Sequence, residues 1–135
     1  MKVTPTLLTA AIAFTTLGGA RAQAQAGPTQ RQCSDLAVLT TAWQNFDTQD
    51  VNASLEEVDE TAKQVAAALD QIALEVRGLS PAAFDQLRAA HSAVEAAIAA
   101  VPEEASGAMV QDRIATAKDN ERFAYQNLMS NIVCP

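Results

Sequence analysis

Two polar side chains interrupt otherwise apolar helical stripes, and they are the best candidates for chemistry in the chain: His91 and Glu121. The histidine is the single one in 135 residues, and Tyr125 lies one helical turn beyond Glu121. Imidazole, carboxylate and phenol can therefore meet in one layer of a helical core. Such a layer has two chemical readings. Buried polar groups need partners, so His91 and Glu121 can satisfy each other and fix helix register. An apolar residue in place of His91 is then expected to leave the protein folded. Alternatively the layer is the ligand pocket of a carrier, in which one histidine with a tyrosine or a methionine (Met109 or Met129) would suit haem. No C-x-x-C-H for covalent haem attachment occurs, and no cofactor is expected.

Other chemistry finds less support. Ser92 adjoins His91, but neighbours in a helix point about 100° apart and cannot form a nucleophile–base pair. There is no glycine-rich phosphate loop, H-E-x-x-H or G-x-S-x-G, so an enzyme is not expected. Two cysteines and one histidine fall short of a four-thiolate zinc site and of most metal cages. Six acids and no base lie between Asp47 and Glu60. They lack the ligand spacing of a calcium loop and read as a solvated helix start, with a basic partner as the second reading. Asn52-Ala53-Ser54 is a glycosylation sequon, which has meaning only in a eukaryotic source.

The elements that position these residues begin after an address. Lys2 is followed by an apolar stretch through Leu17 and then by small residues spaced as Ala20-Arg21-Ala22, Ala22-Gln23-Ala24 and Ala24-Gln25-Ala26. Residues 1–26 read as a secretory signal peptide, too diluted by Thr, Pro and Gly for a membrane anchor. Its removal takes two of the nine bases and no acids, so the net charge moves from −7 to −9. An acidic chain disfavours nucleic acid, because neutralising phosphates requires clustered Lys and Arg. Residues 27–32, with the Gln-rich stretch before them, are expected to form a mobile arm. Export also bears on Cys33 and Cys134, at either end of the remaining domain 33–135. An oxidising compartment favours a bridge between them, nominally stabilising by about 4–5 kcal/mol for a loop of roughly 100 residues.

Everything between the cysteines is periodic at the helical repeat, and no stretch alternates with period two. Leu36, Leu39, Trp43 and Phe46 mark a short first helix. Val51, Leu55, Val58, Ala62, Val65, Leu69, Ile72, Val76 and Leu79 form an a/d seam of alternating four- and three-residue steps. Ser54 with Glu57 predicts a capping box, Gly78 a helix stop, and Ser80-Pro81 the next start. Phe84, Leu87, His91, Val94, Ile98 and Val101 give the third helix; Val110, Ile114, Ala117, Glu121, Ala124 and Leu128 give the fourth. Short turns imply antiparallel neighbours. The expected register sets Leu69 beside His91 and Ala62 beside Ile98, and on the other flank His91 beside Glu121. The fold class is all-α: an antiparallel up-down bundle of four helices, the first short, closed by one disulfide. Residues 47–54 would then be taut, spanning up to about 26 Å for eight residues, unless the first helix runs beyond Phe46 or the tail after Leu128 folds back.

In plan the chain resembles small, uncharacterised secreted helical proteins of high-GC bacteria. The resemblance rests on a cysteine opening the first helix, alanine-rich helices broken by an Asp-rich turn and a Ser-Pro, and a cysteine near the end of the chain. It implies localisation and fold, and no chemistry. The expected function is an exported binding or interaction module, secreted or periplasmic, for a protein or small-molecule partner. It is expected to have no membrane association once the leader is cleaved. The other classes are the carrier built around His91 and a structural protein of the cell envelope. The long seam of the second helix also suits self-association.

Overall fold

The computed structural model describes residues 27–135, and the signal peptide expected over 1–26 lies outside them. Four helices follow one another: α1 (Gln30–Asp47), α2 (Leu55–Ala73), α3 (Pro81–Ala99) and α4 (Gly107–Ser130). Among the described residues there is no strand, and no helix is long and apolar enough to cross a membrane. Each helix starts where a hydroxyl can take up an orphan N–H group. Ser54 and Glu57 form the expected capping box on α2, Ser80 caps α3 with Pro81 at its first position, and Ser106 caps α4.

The up-down order follows from cross-helix bonds whose residue numbers run in opposite directions. Gln86 and His91 of α3 pair with Asn127 and Glu121 of α4. Thr40 and Asp47 of α1 pair with Tyr125 and Arg122 of α4. Cys33 is bonded to Cys134, with the Cα atoms 5.8 Å apart, closing α1 onto the segment that follows α4. Within the bundle α1 packs closely on α2 and α3 on α4, while α2 and α3 touch more sparsely. Leu36, Leu39, Phe46, Val58, Val65, Leu87, Val94, Ile114 and Leu128 are almost wholly removed from solvent and form one continuous core.

Four expectations need correction. The first helix is not short: at 18 residues it nearly matches α2 and α3, with 19 each. It begins inside the segment assigned to an arm, because Thr29 and Gln32 make a second capping box that places residues 30–32 in helix. The Gln32 amide also donates to the carbonyls of Glu75 and Arg77, tying this start to the α2–α3 connection. Gly27 and Pro28 lie against Gly78, whose φ of +81° and missing Cβ permit an approach that a side chain would block at 2.8 Å.

The α2 seam is also shorter than its periodicity. Helix α2 ends at Ala73, five residues before Gly78, and Val51 and Leu74 stand exposed. This truncation resets the register. The Ala62 carbonyl lies beside His91, and Leu55 shares a surface depression with Ile98 and Val101. Ala62 thus replaces Leu69 as the neighbour of His91, a shift of seven residues or about 10 Å of helix. The α3–α4 register is as expected, with His91 against Glu121. Helix α1 runs one residue beyond Phe46 and the start of α2 moves towards its end, so residues 48–54 form an ordinary turn and not a taut span.

Candidate functional site

The polar layer assembles from the seams of α3 and α4. His91 sits between Leu87 and Val94 on the buried stripe of α3, and Glu121 between Ile114 and Leu128 on that of α4. Nδ1 of His91 and Oε1 of Glu121 are 2.8 Å apart, with 3% and 0% of the two side chains exposed. The remaining atoms, Nε2 of His91 and Oε2 of Glu121, have no hydrogen-bond partner. Nε2 faces the half-exposed Glu95 carboxylate at 3.8 Å, and the Ala62 carbonyl lies against the ring. Burial opposes a charge on the ring most strongly, but the Glu121 hydrogen bond and charge, with Glu95 and Ala62, outweigh it and raise the His91 pKa.

Tyr125 does not join this pair. Its hydroxyl donates to Thr40 Oγ1 at 2.8 Å, and its ring stacks on Trp43 with centroids 4.1 Å apart. The phenol thus links α4 to α1, and the layer is a two-residue pair with apolar neighbours. Met109 is 45% exposed at the start of α4. Among the described residues no group of three His, Cys, Asp or Glu side chains is placed to hold a metal ion. The closed packing of the pair alters one expectation. Replacing His91 alone by leucine would strand Glu121, fully buried and already half-satisfied, without its partner.

Lys118 is a further buried polar residue that the seam reading passed over in favour of Ala117. Its amine donates to the carbonyls of Phe46 and Asp47, both at 3.3 Å, and lies 5.0 Å from the centre of the Phe46 ring. Helix α1 has no basic residue in its last turn, so α4 supplies the cation for its negative end. Burial lowers the Lys118 pKa, partly offset by Asp47. The spacing Ile114, Lys118, Glu121, Tyr125 carried the signal, since it repeats the four–three–four rhythm of the stripe.

On the outside of the bundle the sites differ by charge. A groove runs along α1 and α2, bordered by Ala37, Val38 and Thr41 on one side and Gln64, Ala67 and Ala68 on the other. None of its ten lining residues is charged. The three other surface depressions described each carry three charged residues. The sequence signal is the run Leu36–Phe46, eleven residues without an ionisable side chain in an acidic protein. Val38 stands 58% exposed at the groove edge.

The acid-rich stretch divides between two roles. Asp47 pairs with Arg122, whose guanidinium also reaches Asp119. Asp50 accepts from the Asn52 N–H and shapes the turn, while Glu57 completes the α2 cap. No family model, curated protein or solved structure matches the chain.

Proposed function

We propose that this protein is an exported binding module that docks an apolar helix of a protein partner in the α1–α2 groove. The observation that carries the reading is the uncharged lining of that groove in a chain of net charge −7. Burying a charge without a partner is costly, whereas small apolar and amide side chains give up water readily. Alanines at 37, 67 and 68 let a helix backbone come close, and the glutamines and asparagine at the rim offer hydrogen bonds. The leader pattern in residues 1–26 supports export, and the Cys33–Cys134 bridge fits an oxidising compartment.

A photo-crosslinking residue at position 38, installed in the full chain in its native host, tests the reading. A product is expected from position 38 but not from exposed Arg113, and Ala67→Arg abolishes it. A product of twice the chain mass would identify the docked helix as belonging to a second copy. Absence of any product from position 38, or equal products from both positions, overturns the proposal.

A further inference from the structure

The chain holds one histidine, and both cysteines are tied in a disulfide. His91 is therefore the side chain whose ordinary pKa falls between pH 5.5 and 8.5. Its surroundings are asymmetric in a way that selects one protonation state. Nδ1 meets the Glu121 carboxylate at 2.8 Å, Nε2 faces the Glu95 carboxylate at 3.8 Å, and the Ala62 carbonyl lies against the ring. All three are acceptors. A neutral ring can donate from Nδ1 to Glu121, but it then turns a bare lone pair toward the Glu95 carboxylate. Only the imidazolium presents N–H groups on both sides.

The charged and titratable groups acting on the ring are Glu121 from α4 and Glu95 from its own helix, while α2 offers the Ala62 carbonyl. Lys118 of α4 interacts electrostatically with Glu121, but its amine is held by the terminal carbonyls of α1.

We propose that the His91–Glu121 pair is a pH sensor built into the core, which locks the bundle when the ring is protonated and loosens it when the ring is neutral. In the protonated state the imidazolium compensates a carboxylate that no solvent reaches. In the neutral state the Nδ1 hydrogen bond remains but the positive charge that offsets the buried carboxylate is gone, beside an α2–α3 contact sparser than those within the α1–α2 and α3–α4 pairs.

The direction follows from linkage. The folded state raises the His91 pKa. Its contribution is therefore complete below about pH 6.5, the unfolded value, and is lost as pH climbs through the folded one. Lys118, lowered by burial, acts with the opposite sign, favouring the fold toward alkaline pH, so it cannot produce such a loss.

Urea unfolding of the disulfide-bonded protein at pH 5.5 and pH 8.5 provides the test. The wild-type midpoint is expected to fall at pH 8.5, and the step to vanish in His91→Gln. NMR titration of the ring should place its midpoint above that of the same chain unfolded in urea, and Glu121→Gln should bring it down. The Glu121→Gln titration also stands in should His91→Gln not fold. A step that survives in His91→Gln, or a ring that titrates at or below its unfolded midpoint, overturns the proposal.

Discussion

The α1–α2 and α3–α4 pairs use helices of comparable length and opposite electrostatics. The first pair is fastened by neutral groups, with the Gln32 amide on the carbonyls of Glu75 and Arg77 at one end and Thr61 on Gln49 at the other. Its outer groove carries no charge. The second pair places an imidazole and a carboxylate inside, with Lys118 about one turn before Glu121 on α4. A face without charge can be desolvated at little cost, and an interior with ionisable groups responds to pH. One pair is thereby suited to docking and the other to sensing, and the contrast can be probed from both sides.

The largest effect is expected from what ties the pairs together. Replacing Cys33 and Cys134 by serine removes a link of sequence separation 101 and should cost about 4–5 kcal/mol in urea unfolding. A far smaller loss would mean that side-chain packing alone holds α1 to α4. Next, His91→Leu should cost about 3–5 kcal/mol, and adding Glu121→Leu should recover most of it. No recovery in the double variant would remove the ionic character assigned to the α3–α4 pair.

Gly78→Ala should destabilise by about 1–2 kcal/mol, from its positive φ and the collision with Gly27 and Pro28. Lys118→Met should cost about 1 kcal/mol by uncovering the last carbonyls of α1. The smallest effect belongs to the groove: Ala67→Arg should leave stability within about 0.5 kcal/mol of wild type while abolishing crosslinking from position 38. A large stability loss there would mark the groove as part of the core.

The sequence made the helices legible, together with the His91–Glu121 layer and the two cysteines that meet. Seam spacing is local information, and in α3 and α4 it holds around the polar pair, so pairing the stripes there sets His91 against Glu121. In α2 the same spacing continues past the helix, since Val76 and Leu79 keep the rhythm while lying in the α2–α3 connection. Periodicity cannot distinguish a helix from a connection whose side chains reach the same core, so spacing alone sets Ala62 opposite the wrong partner.

Gln32 was hidden differently. Its T-x-x-Q cap signal was present, but composition had marked the stretch as an arm. Tyr125 sat on the edge between two faces, and only the position of α1 decides that its hydroxyl meets Thr40 rather than Glu121. The uncharged groove spans two helices, and the run Leu36–Phe46 displays only its α1 wall.

The bond between Cys33 and Cys134 makes the intervening backbone a closed covalent ring, with the α1–α2 turn at the pole away from the bridge. A protease that cuts once within residues 48–54 opens that ring without releasing a fragment. Helix α1 stays fastened through sulfur to the end of α4 and remains beside α2. A molecule nicked there is expected to persist as a two-chain protein held by the disulfide. The same turn is where a permuted chain, with residues 27 and 135 joined, could begin and end.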